Sequence, residues 1–200
     1  MMKGEAATEA EDEGEADQFD LTKEAINDSG AFLAPMSPRT RYIDGCLREK
    51  ITPKASLMTR RGMSKKLDLS HHGIGDKMCR ILSECIVDMP YLQSLIISDN
   101  NLTDESLGPL VRALVKMPSL LEVDISNNIV GDTASNTLSD YLGSPSCPII
   151  KLVMQSADVD DFECARFVLA IQNKPGTKPQ ELVLTRNLLG AAEELNTVMP

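Results

Sequence analysis

Tryptophan is absent from these 200 residues, and Phe, Tyr and Trp together make only 4 %. Any core must therefore be aliphatic, and the 42 % apolar content is enough to build one. Long apolar runs are missing too. No stretch can span a bilayer, and none follows Met1 as a secretory leader would require. The expectation is a cytoplasmic chain with no membrane role. Cysteine usage agrees: Cys46, Cys79, Cys85, Cys147 and Cys164 are an odd set without CxxC spacing. That argues for buried thiols in a reducing compartment rather than a disulfide framework or a zinc site. There is no GxSxG and no phosphate loop, and the two histidines, His71 and His72, sit in no triad or dyad motif. No catalytic, metal or cofactor-binding residue is expected, and no small-molecule substrate. A basic face is also lacking. The net charge of −10 disfavours a nucleic-acid partner, and only residues 21–66 carry excess base, ten against four acids.

What is present is one pattern written five times. It starts at Leu67, Leu95, Val123, Leu152 and Leu182, with spacings of 28, 28, 29 and 30 residues. A period of this size marks a repeat array. Each copy opens apolar-x-apolar, the alternation of a strand with one buried face. An Asn follows at Asn100, Asn128 and Asn187, with His72 and Ala157 in the other two copies. A short amide there can bond backbone groups where the chain leaves the strand. The pair His71–His72 is not expected to chelate one ion, because neighbours on a strand face opposite ways. An aspartate then recurs at Asp76, Asp104, Asp132 and Asp161, read as an N-cap accepting its own helix's first-turn amides. Helical spacing follows, as in Leu107, Leu110, Val111 and Leu114, and Pro90 and Pro118 close two of the helices.

A single copy buries too little to offset the cost of ordering it, so neighbours must share one core. Strand, turn and helix repeated in one direction give a parallel sheet on one side and helices outside. The unit resembles the leucine-rich repeat, and its length, its Asp and its full helix resemble the ribonuclease-inhibitor subtype. That resemblance implies a right-handed α/β solenoid, a horseshoe segment of about five strand–helix repeats. The repeats fall at about 64–91, 92–119, 120–148, 149–178 and 179–200, the last incomplete, which reads as a fragment. Copy four departs from the pattern at Ala157, and it is expected to be the weakest unit.

Before the repeats, residues 1–38 read as an acidic disordered tail and linker, with eight acids and one Lys in the first twenty residues. Ser37-Pro38 is a candidate proline-directed phosphorylation site. Residues 39–66 read as a helical cap, with a first helix around Tyr42 and Cys46 and a second around Ala55, Leu57 and Met58. The run Tyr42-x3-Cys46, Pro53, Leu67-x-Leu69-x-His71 resembles the entry to intracellular leucine-rich-repeat proteins, cytoplasmic, axonemal or cytoskeletal.

Function is read as a non-enzymatic scaffold binding a partner protein on the concave strand face. Outward strand positions form rows, among them Asp68, Ile96, Asp124, Val153 and Val183. The best-formed copies present Ser94, Ile96, Ser98, Asp99, Glu122, Asp124, Ser126 and Asn127, which suits a segment with an apolar anchor among basic residues. The alternative is a regulator of a small GTPase, because the nuclear-transport GTPase-activating proteins carry this repeat subtype and an acidic stretch. A GTPase turnover assay separates the two.

Overall fold

In the computed structural model, the residues described are 37–54 and 63–190. Residues 1–36 of the expected 1–38 tail and linker, the second cap helix at Ala55–Met58 and the apolar Leu195, Val198 and Met199 lie outside them, while Ser37 and Pro38 belong not to a linker but to the start of a helix.

The first element is a helix, α1 (Pro38–Arg48). The repeats then run β1 (Lys66–Asp68), α2 (Gly75–Cys85, extended by a 3-10 turn at Ile86–Asp88), β2 (Ser94–Ile96), α3 (Asp104–Leu114), β3 (Glu122–Asp124), α4 (Asp132–Gly143), β4 (Lys151–Val153), α5 (Asp161–Asn173) and β5 (Glu181–Val183). The five strands form one parallel sheet in chain order. Their register aligns Leu67, Leu95, Val123, Leu152 and Leu182, the positions at which the repeats begin. This is the repeat solenoid that the periodicity implies.

Alternation explains each strand. Leu67, Leu95, Val123 and Leu152 point inward and are at most 2 % exposed, while their flanking residues face out. A second rung stacks Leu69, Ile97, Ile125 and Met154 behind them, all buried. The helices close the core from the other side, α3 burying Leu107, Leu110, Val111 and Leu114. Neither Pro90 nor Pro118 makes the helix end itself. Helix α2 stops at Cys85 and α3 at Leu114, and short turns carry the chain on to each proline. No described helix is long and apolar enough to cross a membrane.

Helix α1 covers the first repeat. Ser37 is its N-cap, the Oγ accepting the Thr40 N–H at 3.1 Å, and Pro38 follows in the first turn. Its buried face is Tyr42, Gly45 and Cys46. A Cβ on Gly45 would lie 2.6 Å from Ile81 Cγ2, so only glycine allows this approach of α1 to α2. Lys54 ties the cap down: its N–H donates to Tyr42 Oη at 2.6 Å, and its ammonium donates to the His72 and Gly73 carbonyls.

Candidate functional site

Each strand is cut short by the same backbone event. His71, Asp99, Asn127, Ser156 and Arg186 hold equivalent places and all have positive φ, between 50° and 60°. These left-handed residues turn the chain off the sheet. Asp and Asn tolerate the conformation better than Ser or Arg.

Next to them run the asparagines. Asn128, 4 % exposed, donates from its amide to Ile97 O, Ile125 O and Ser126 O, and its Oδ1 accepts the N–H of Asn100 and of Leu102. Asn100 likewise donates to Leu69 O, Ile97 O and Ser98 O, and accepts from Ile74 N. Asn187 repeats the motif against Met154 O, Leu184 O and two amides of copy four. Each carboxamide thus bonds its own repeat and the one before, satisfying buried backbone that no sheet ladder reaches. Where copy four has Ala157, the Val130 N–H donates instead to the Ala157 carbonyl at 3.0 Å. His72 does not enter this ladder. It is exposed, with Nδ1 2.7 Å from Ser70 O, because no described strand precedes β1 for it to bridge. Both histidines lie in the turn beyond β1, not on the strand, and His71 Nδ1 meets Asp99 Oδ2 at 2.5 Å.

The aspartates do not cap their own helices. The N-cap positions are Ile74, Thr103, Gly131 and Asp160, so Asp76, Asp104, Asp132 and Asp161 lie one or two residues inside. Asp76 reaches forward instead, accepting the Thr103 N–H at 2.8 Å, its hydroxyl at 2.9 Å and the Ser106 hydroxyl at 2.7 Å. Asp104 does the same for α4, accepting from Thr133 N and Ala134 N. Gly131 makes room: a Cβ there would sit 2.7 Å from Asp104 Cβ. Asp132 is exposed, and α5 caps itself by a capping box between Asp160 and the buried Glu163. Partial burial pushes the Asp76 and Asp104 carboxyls up, but the donors around them outweigh it and hold both below the ordinary value.

These ladders fix a trough on the open face of the sheet, about 400 Å³, running from β2 to β5. Of the eight candidate residues it takes Ser94, Ile96, Glu122 and Asp124, and it adds Lys151, Val153, Glu181 and Val183. Ser98, Asp99 and Asn127 lie outside it. Ser126 is not presented at all. It is 6 % exposed, and its hydroxyl accepts the Gln155 N–H at 3.0 Å, serving the next repeat's backbone. Within the trough Lys151 pairs with Glu181 at 2.9 Å. Its pKa is raised by Glu181 first and then by the charges of Glu122 and Asp124. Those two acids have no ion-pair partner of their own among the described residues, which leaves the trough acidic around a half-buried apolar floor.

Among the described residues no cluster of three or more His, Cys, Asp or Glu could hold a metal. The five cysteines are free, Cys164 half-buried and the rest buried. The convex side holds a feature the repeat pattern did not flag. Phe162 and Leu169 on α5 are 69 % and 55 % exposed, and Arg166 lies between them with its guanidinium 5.6 Å from the Phe162 ring centroid. Their equivalents in α4, Thr133 and Asp140, are polar. Comparing outward helix positions copy by copy would have found it.

A family model described as Leucine Rich repeat matches residues 65–77 and 88–111. The NACHT, LRR and PYD domains-containing protein 5 of Mus musculus is 29 % identical over 127 residues, 63 % of this chain and 11 % of that protein. The ribonuclease inhibitor of Sus scrofa is 28 % identical over 129 residues, 64 % of this chain and 28 % of that protein. The chain therefore spans only a small part of the length of these relatives. Among solved structures, the tropomodulin C-terminal domain of Caenorhabditis elegans superposes with a TM-score of 0.48 at 14 % identity, over 65 % of this chain and 75 % of that one. Proteins with this repeat generally mediate protein–protein interaction and are typically not enzymes. The strand–asparagine–helix unit, its period of 28 to 30 residues and the family-model match identify leucine-rich repeats in this chain, similar in type to those of the ribonuclease inhibitor.

Proposed function

We propose that the protein is a non-enzymatic scaffold that binds a partner protein on its concave strand face, with the contact running from β2 to β5. One observation carries this reading. The trough combines an apolar floor (Ile96, Val153, Val183) with an acidic rim, on strands held rigid by buried carboxamides. A preorganised surface lowers the ordering cost of binding. The acids steer encounter, and the floor sets lifetime. Among the described residues neither Tyr nor Arg lines the trough, and Trp is absent from the sequence, so affinity is modest, about micromolar. An intracellular site of action belongs to the same proposal, supported by free, buried thiols.

The test is the double variant Ile96→Asp with Asp124→Lys. Both positions face outward, so circular dichroism should stay unchanged. Binding to a partner should weaken roughly tenfold or more, about 1.4 kcal/mol. Equal binding would move the recognition surface to the helical side or to the 39–66 cap.

A further inference from the structure

Resting on that reading, we infer that the trough seats one basic amphipathic helix lying across the strands, with two apolar residues seven positions apart and a Lys or Arg midway. Ile96, Asp124, Val153 and Val183 occupy one register row on four adjacent strands. Neighbouring strands lie about 4.8 Å apart, so Val153 is about 10 Å from Ile96 along the row and Val183 about 14 Å. An α-helix rises about 1.5 Å per residue, which puts positions i and i+7 about 10.5 Å apart. A side chain seated on Ile96 is therefore followed, seven residues on, by one seated at Val153 with Val183 beside it. Positions i+3 and i+4 fall about 4.5–6 Å along, over the column of Asp124.

That column is doubly acidic, because Glu122 stands two residues earlier on the same strand and also faces out. A cation there meets two carboxylates, and an Arg can engage them with its fork of donors. The neighbouring Lys151 stands beside Glu122 in the register but is paired with Glu181 at 2.9 Å, so it feels the two acids only through their charge and leaves their oxygens open to a visiting cation. An extended segment fits less well. Its alternate side chains fall about 6.8 Å apart, between the Asp124 column at about 4.8 Å and the Val153 column at about 9.6 Å, so the cation is centred on neither.

The probe is a synthetic, Ala-rich peptide of about 16 residues, long enough for measurable helicity. It carries Leu at i and i+7, Arg at i+3 and Lys at i+4. One comparison peptide has the same composition with Leu, Arg and Leu at i, i+2 and i+4, and another has Glu in place of both cations. Fluorescence anisotropy with the full chain should show the first binding at least roughly tenfold tighter than either other, and weakening as salt is raised. The double variant Glu122→Gln with Asp124→Asn should abolish that preference. Equal binding of the three peptides, a preference for the i, i+2, i+4 isomer, or indifference to the variant overturns the helix.

A photo-reactive residue at position 94 or at 137 separates this failure from failure of the scaffold reading. Cross-linking from 94 into a partner segment with the helical spacing supports both. Cross-linking from 94 into a segment without it sinks the helix alone. Cross-linking from 137, on the helical side, with none from 94 sinks both.

Discussion

The carboxylate of Asp76 accepts the N–H of Thr103 at 2.8 Å and its hydroxyl at 2.9 Å, so an aspartate in one repeat closes the first turn of the helix in the next. The same reach links Asp104 to Thr133 and Ala134. Removing it should cost what an N-cap costs. Asp76→Ala is expected to lose about 1–2 kcal/mol in urea unfolding. Gly131→Ala should also destabilise, since the added methyl displaces Asp104. If both variants unfold with the parent midpoint, these contacts hold nothing.

The same pair sets an acid limb. Both carboxyls sit below the ordinary value of 3.8, because hydrogen bonds to the charged form outweigh partial burial. A depressed native pKa contributes stability that is fully present above the unfolded value and is lost as pH falls through the native one. Unfolding monitored from pH 6 to pH 2 should therefore show stability declining below about 4. In Asp76→Asn that decline should be shallower. An identical acid profile in parent and variant would contradict the assignment.

Asn128 makes five hydrogen bonds to backbone groups while 4 % exposed. Asn128→Ala strands several buried groups at about 1–3 kcal/mol each, and a loss of about 3 kcal/mol or more is expected. Asn187→Ala, at a half-buried position, should lose less. The comparison is made by denaturant midpoints at equal m-values, and the reverse order would sink the ladder argument.

Ser156 holds a left-handed conformation, φ 50°, that Ser tolerates poorly. Ser156→Asn is expected to stabilise by about 0.5–1 kcal/mol, read as a rise in thermal midpoint. A fall would mean that the turn is not strained.

Cys79 and Cys85 have thiols pushed up to about 12, chiefly by burial. At pH 8 iodoacetamide should modify Cys164 first, since it is half-buried where the other four are buried. Cys79 and Cys85 should react only on unfolding. Rapid alkylation of either in native protein, seen by intact mass, would contradict their placement.

The strand positions and the core were legible because they rest on alternation within one copy, and Leu67, Leu95, Val123, Leu152 and Leu182 align as that alternation implies. The aspartates were misread for the complementary reason. The partners of Asp76 and Asp104 are 27 to 30 residues away, in the following copy, where a unit-by-unit reading does not look. Ser126 failed in the same way, its hydroxyl spent on Gln155 of the next repeat. The trough was half visible. Its rows of outward residues could be written down as far as Val183, but which of them share one cavity needed the sheet to be assembled. Lys54, which tethers the cap to the His72 and Gly73 carbonyls, carried no signal, because long-range donors to backbone leave no local pattern.

Each strand in this sheet is three residues long, with its middle side chain turned inward. Every strand therefore offers a visitor two outward letters, and the left-handed residue three positions further on forbids a longer word. The surface can gain vocabulary only by adding rungs, never by lengthening one. Discrimination in such a protein grows with the height of the stack, and changing a partner means rewriting letters on several lines at once.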